Sequence, residues 1–485
     1  KALKSNVYLR LAPGAVILGS EDIRDYTGTT RGCAFVRVFV NGEREEKHQP
    51  DPCVALIVAD RCENCGIVGR GIIDGQRNSL LGHTPEKGKP YLVVFSECGH
   101  VCMEGVTLQN PGIYCSYFLN CSGVKIRGVD VHSENSMCGD GFDFDGGRDV
   151  AISDCLVSAG DDGISIKSFC PKEPCENFTI TNCTFRCKWW GGIRIGPESA
   201  ASMRNIAVSN CVFEDCGDGV KLQLCEGGNY EHFTFTGLVM NRVVRPILVT
   251  VSPFRFSFHS PVLPQPGSLR HIRFDNIVAA HEQRQPGERV LTVFEVEKPH
   301  QSINFLYALP GTVVEDFTIS NSTFLVPGGG REQEGQRGDY QELIDYCDAY
   351  PEMLLELGRF PAAGMFVRHF GELSLHNVTF CAKNPDGRCA IAADDVERLN
   401  LWGVTAKGTA GLCRTLACGE VRQALCEGKV LEAGETAKKQ YEAEQAAAGG
   451  AIKQLDAMAA LAGQAEMWPE VVSFSEREAA RGVSF

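Results

Sequence analysis

The chain predicts an all-β solenoid, a parallel β-helix, followed by a helical C-terminal tail. Three observations carry that reading. A short apolar motif returns about every 25 residues. Each copy alternates with period two, as strands with one buried face do. The composition then shifts to Ala, Glu and Lys near the end.

The motif reads apolar-x-apolar-x-(Gly/Asn/Asp)-x-x-apolar. It starts loosely as "CGIVGRGII" from Cys65 and settles into "VCMEGVTL" from Val101, "VKIRGVDV" from Val124 and "VAISDCLV" from Val150. It continues as "FTITNCTF" from Phe178, "IAVSNCVF" from Ile206 and "FTFTGLVM" from Phe233. "IRFDNIVA" from Ile272, "FTISNSTF" from Phe317, "LSLHNVTF" from Leu373 and "LNLWGVTA" from Leu399 complete it. The central steps are 23, 26, 28, 28 and 27 residues. β-branched and aromatic residues fill the copies, as strands prefer. A leucine-rich horseshoe of similar period needs a repeated leucine and helix pattern, which is missing. A propeller needs longer blades.

Residues 1–406 are therefore read as the solenoid. Longer steps late in the chain imply inserted loops, at 279–311 and about 326–365, the second with a short helix near 340–357. Residues 407–485 read as a mostly helical extension, because "ETAKKQYEAEQAAAGG" and the residues after it have strong helix propensity.

Composition narrows the partners. The 485 residues are 44% hydrophobic and 22% charged, with a formal net charge of −14. No basic surplus exists to neutralise phosphates, which argues against nucleic acid. No apolar run reaches the length of a membrane span. The Gly-rich "VPGGGREQEG" lacks the Lys-Ser/Thr of a phosphate-binding loop. The 23 cysteines are read as free thiols: Cys155, Cys183 and Cys211 recur at one repeat position, as buried small hydrophobes would. Cys62-x-x-Cys65 has no second pair at metal-site spacing, so no metal is expected. Abundant thiols favour a cytoplasmic setting, with secretion or a periplasmic location after loss of a leader as the alternative. The sequons at Asn120, Asn177, Asn182, Asn321 and Asn377 fall in or beside core strands and are read as chance. Oligomeric state is open.

A second strand column exposes the chemistry. It reads "DGFDFD" from Asp140, "DGISIK" from Asp162, "GGIRIG" from Gly191 and "DGVKLQ" from Asp218. Stacked coils lie about 4.8 Å apart, so Asp140 becomes a neighbour of Asp162, with Asp161 one residue earlier. Phe142, Ile164, Ile193 and Val220 point inward. Asp143, Ser165, Arg194 and Lys221 form one outward row; Asp145, Lys167, Gly196 and Gln223 form the next. Trp189 and Trp190 flank the same groove, where aromatic faces stack on sugar rings. Lone Asp-Gly pairs are usually turns, and Asp218 is read that way. Asp143 and Asp145 are read as a solvated face or as partners of Arg194 and Lys167.

These residues bring a family into view. "CGD", ending at Asp140, and "GDD", Gly160-Asp161-Asp162, resemble the Asn-x-Asp and Gly-Asp-Asp motifs of glycoside hydrolase family 28, the polygalacturonase-like enzymes. The likeness extends from residue 1 to about 405, with "FPAAGMFVRHFGELSLHNVTF" resembling a divergent bacterial branch. It implies a right-handed, pectin-lyase-like solenoid, an oligo- or polysaccharide substrate, no cofactor and no metal. It also implies inverting hydrolysis, in which Asp161 is the general acid while Asp140 and Asp162 hold and activate water. Such chemistry needs one protonated and one ionised carboxyl group, and crowding can keep one protonated. Arg194, Lys221, Gln223, Lys167 and Trp190 are the expected substrate-binding residues.

The chain also departs from the family. Gly191 stands at the family's histidine, Lys221-Leu222-Gln223 at its Arg-Ile-Lys, and Phe254 or Phe256 at a tyrosine. Lysine for arginine loses the bidentate fork, and glutamine for lysine loses a charge. Either Arg194 takes over the grip on a substrate carboxylate, or the sugar differs: rhamnogalacturonan, another decorated pectic sugar or a neutral hexose. The long insertions favour exo-action. Two other functions stay open: a non-catalytic glycan-binding β-helix, and a calcium-dependent lyase using Asp143, Asp145 and Lys167.

Overall fold

The computed structural model describes residues 1–20, 22–26, 54–76, 90–136, 138–187, 190–251, 267–281, 304–335, 360–415, 421–426 and 429–431. Short strands stack in parallel register into a β-helix. Each coil contributes to three strand columns, and the columns track the repeats.

The motif found in the sequence forms the first column. Val124 pairs with Val150, then Phe178, Ile206, Phe233, Ile272, Phe317 and Leu373 in consecutive coils. The loose early copy belongs to it, since Cys65 pairs with Val101. A further column runs Leu108, Val131, Val157, Phe185, Phe213 and Met240. The acid-bearing column runs Phe118, Phe144, Ile166, Ile195, Leu222, Val249, Leu306 and Val367.

The inward residues of all three columns meet in one core. Phe95, Phe118 and Phe144 stack face to face at centroid distances of 5.4 and 4.8 Å. Like residues in register can do this because the coil spacing is close to the preferred ring separation. Burying each such side chain contributes roughly 1.5–3 kcal/mol. Cys155, Cys183 and Cys211 are buried free thiols in the same core.

The bends between columns use left-handed backbone. Asn120, Asn177, Asn182, Asn321 and Asn377 have φ of 46°, 60°, 55°, 49° and 54°. Asparagine tolerates that region better than most residues. Their amides also bond from coil to coil: Asn177 donates to Asp149 at 2.8 Å, Asn205 to Asn177 at 2.9 Å and Asn377 to Asn321 at 3.0 Å. The sequon asparagines thus have a structural reason to be where they are.

The strand pattern runs past residue 406. Thr405–Thr415 pairs with the preceding coil, and Val421–Cys426 and Lys429–Leu431 are also extended. The helical propensity of this segment is thus not expressed in its first described residues. The last coil's open edge offers a row of unpaired donors and acceptors, and Thr379 and Phe380 take Thr405 and Ala406 in register. Residues 432–485, the centre of the second insertion, Trp189, Phe254 and Phe256 lie outside the described residues.

Candidate active site

The Asp-Gly pairs sit where each coil enters the acid-bearing column. Cys115 N donates to Asp140 O at 2.9 Å, Gly141 N to Asp162 O at 3.0 Å and Gly163 N to Gly191 O at 2.9 Å. Asp140 and Asp162 are therefore stacked neighbours, as the coil spacing predicts. Gly160 must be glycine, because a Cβ there would overlap the Ser136 carbonyl oxygen.

The three acids differ in setting. Asp162 is fully buried and accepts two hydrogen bonds, from Gly191 N at 2.9 Å and from Arg194 Nη1 at 3.0 Å. Asp140 is buried and accepts from Lys167 Nζ at 3.3 Å. Asp161 alone is partly exposed, and its buried Oδ1 receives no hydrogen bond. Burial first, then the neighbouring Asp140 and Asp162, push its carboxyl well above the usual carboxylate range. Asp140 is also raised, by burial, against the pull of Lys167.

The first outward row is as expected: Asp143, Ser165, Arg194 and Lys221 are in register. The second is broken. Register shifts between Ile166 and Ser168, which pair with Ile195 and Ser199, so the strand Gly191–Ser199 bulges and Gly196 does not face Lys167.

Of the residues expected to hold substrate, Arg194 and Trp190 are partly exposed. Lys167, Lys221 and Gln223 are buried. Arg194 bridges neighbouring coils: Nη1 donates to Asp162 Oδ2 at 3.0 Å, and Nε donates to Gln223 Oε1 at 3.0 Å. Lys221 Nζ lies 4.2 Å above the Trp190 ring, a cation–π contact.

Two expectations change. Asp218 is not a simple turn residue: it is fully buried and takes a two-pronged ion pair from Arg245, at 2.5 and 2.9 Å. Asp143 and Asp145 are not solvated. Asp143 accepts from Lys167 at 2.6 Å, while Asp145 accepts from Tyr117 Oη at 2.8 Å and Phe169 N at 3.0 Å. Asp143 is thus a partner of Lys167, one of the two readings the sequence offered for it, and Tyr114, which touches Lys167 at 3.3 Å, is the member of the cluster that the sequence reading missed. The signal for the Asp143 contact was diagonal: Asp143 pairs with Ser165, two residues before Lys167.

The fold is a parallel β-helix with carboxyl groups grouped on one strand column. Residues 20–255 match the family model of glycosyl hydrolases family 28. A probable polygalacturonase of Arabidopsis thaliana is 28% identical over 194 residues, 39% of this chain and 41% of the relative. An endo-polygalacturonase of Pectobacterium carotovorum subsp. carotovorum is 21% identical over 266 residues, 51% of this chain and 63% of the relative. The chain thus spans less than two thirds of the length of these relatives. The crystal structure of a hyperthermoactive exopolygalacturonase from Thermotoga maritima superposes with a TM-score of 0.54 at 17% identity, covering 78% of this chain and 80% of that one. That likeness is one of fold.

Proposed function

We propose that this chain is an inverting glycoside hydrolase that cleaves α-linked pectic-type sugars, acting from a chain end. Asp161 protonates the leaving oxygen; Asp140 and Asp162 hold and activate the attacking water. One observation carries the reading. Among the three acids, the one with access to solvent is also the one that burial and its two neighbours push well above the usual carboxylate range. A general acid needs both properties, because it must meet substrate with its proton still on.

Asp162, fixed by Gly191 N and Arg194, supplies the ionised partner that an inverting reaction needs. Arg194 is engaged with Asp162 and Gln223, and Lys221 with Trp190. That arrangement favours a galacturonide whose acidity is masked or interrupted, such as a rhamnogalacturonan-like or otherwise decorated oligosaccharide. The lyase alternative loses support because Lys167, its candidate base, is buried against two carboxyls.

The test is a reducing-sugar assay on a panel of pectic oligosaccharides with the wild type and Asp161→Asn. Activity abolished in the variant is the expected result. Turnover that persists would remove Asp161 as the acid, and a wild type that binds glycans without cleaving them would favour the non-catalytic alternative.

A further inference from the structure

Lys167 was expected to face substrate. Instead its ammonium is buried with all three donors placed: Asp143 Oδ1 at 2.6 Å, Asp140 Oδ2 at 3.3 Å and Tyr114 Oη at 3.3 Å. Its Nζ also lies 4.4 Å from the centre of the Tyr114 ring. An ammonium has three N–H donors, so this geometry leaves none for a sugar.

The carboxyls on the other side of the contact are unusual too. Asp140 Oδ1 and Asp143 Oδ2 are both buried, and neither receives a donor. The two groups are close enough to hydrogen-bond one another when one of them carries a proton. Two bare carboxylates cannot stay that close in a buried site; two carboxyls with one proton between them can.

We propose that Lys167 is a positioning residue for the water-holding acid, acting with Asp143 as a fourth carboxyl of the site. Asp143 keeps the proton that the crowded pair must hold, and the ammonium fixes the pair so that Asp140 remains the ionised member. This rests on the proposed hydrolysis for its catalytic meaning, but the contact itself does not.

The charges around the pair are consistent with that division. Lys167 and Arg194 are the cations whose ion pairs reach Asp140, Asp143 and Asp162. Arg194 is paired with Asp162, and Lys167 with both members of the Asp140/Asp143 pair. Asp161 and Asp143 are the carboxyls that burial and neighbouring acids push well above the usual carboxylate range. Glu198 also faces Lys167, and the Cys115 thiol faces Asp143 and Asp140, where burial keeps it protonated. Asp145 is held separately by Tyr117 and Phe169 N. Burial lowers the Lys167 ammonium, but Asp143 and Asp140 outweigh it and hold it charged. Burial and Asp140 push Asp143 well above the carboxylate range.

The experiment has a kinetic arm and a folding arm, both on the full chain. In Lys167→Met the pair loses its cation and takes up a second proton at Asp140. The acid limb of the kcat profile should then move up by about one pH unit, and kcat near neutral pH should fall on the order of 100-fold. KM should stay nearly constant, and Lys167→Arg should restore part of the limb. A limb left at the wild-type position, or a rise in KM with kcat kept, would overturn the proposal. The folding arm needs no activity. Melting midpoints of Lys167→Met, Asp143→Asn and the double variant should be non-additive, the double variant losing less than the sum of the two. Additive losses would overturn the contact. Should Lys167→Met fail to fold, Lys167→Gln, which keeps one donor, is expected to move limb and midpoint the same way by less; no movement would overturn the proposal equally. A wild type without hydrolytic activity but with a non-additive cycle would sink the proposed function and leave the Lys167–Asp143 pair standing.

Discussion

One strand column carries two different surfaces. Between Asp140 and Gln223 its outward side chains are acids, cations and an amide. In the next three coils, the same register positions hold Leu248, Phe305 and Phe366, all buried. The backbone geometry is common to both stretches, so it does not decide what the face does. The apolar stretch is satisfied by packing alone. The charged stretch is satisfied only by a specific set of partners and protons: Arg194 on Asp162, Lys167 between Asp143 and Asp140, Arg245 on Asp218. A solenoid thus offers equivalent positions, and side-chain electrostatics picks the ones that can do acid–base chemistry.

Substitutions should separate the two surfaces. Asp161→Asn is expected to lower turnover by about 10²–10⁴-fold, the usual contribution of a general acid, while leaving the melting transition in place. Phe305→Ala should do the reverse: a stability loss of about 3–5 kcal/mol from an unfilled cavity, with kcat of the folded fraction unchanged. Denaturant unfolding alongside the assay reads both. A Phe305→Ala variant that stays stable but loses chemistry would erase the contrast.

Arg245→Met tests the charged stretch where no chemistry is claimed. It leaves the buried Asp218 carboxylate without its ion pair, and a loss of about 3–5 kcal/mol is expected. A smaller loss would mean that Asp218 reaches water when Arg245 is removed.

The pH dependence sharpens the comparison further. The raised carboxyls of Asp140, Asp143 and Asp161 bind more protons folded than unfolded. Their contribution to stability is therefore fully present below the unfolded value of about 3.9. It is lost as pH rises through the raised folded values, at roughly 1.4 kcal/mol for each unit of elevation. Asp161→Asn should flatten part of this decline, whereas Phe305→Ala should leave its slope alone. Melting midpoints measured across the acid range check the sign.

The smallest effect is expected at the bends. Asn205, with φ of 59°, donates to Asn177. Asn205→Ala should cost about 1–2 kcal/mol of left-handed strain, and Asn205→Gly distinctly less. Equal costs would show that the side-chain ladder, not the backbone, sets the asparagine preference.

Much of the fold and site was legible in the sequence because register is set by repeat spacing. Matching "DGFDFD" to "DGISIK" was enough to bring Asp140 beside Asp162, and period two was enough to point Phe144 and Ile166 inward. What spacing does not contain is where long side chains reach. Lys167 crosses diagonally to Asp143 instead of standing outward, and Arg245 turns along the column to Asp218. Nor does spacing reveal a bulge: the extra residues near Gly196 break a row that the repeats themselves show as continuous. The strand residues at 407–415 and 421–426 were hidden for another reason. Their extended state is templated by the edge of the preceding coil, so it depends on a tertiary surface that local propensity does not register.

The most direct test of the central claim is proton NMR of the first product formed from an α-linked pectic oligosaccharide, monitored at the anomeric position before mutarotation. The proposed inverting roles predict that the β-anomer appears first, and that it does not appear with Asp161→Asn. Initial release of the α-anomer, or of an unsaturated sugar absorbing in the ultraviolet, would contradict the assigned roles of Asp161, Asp140 and Asp162.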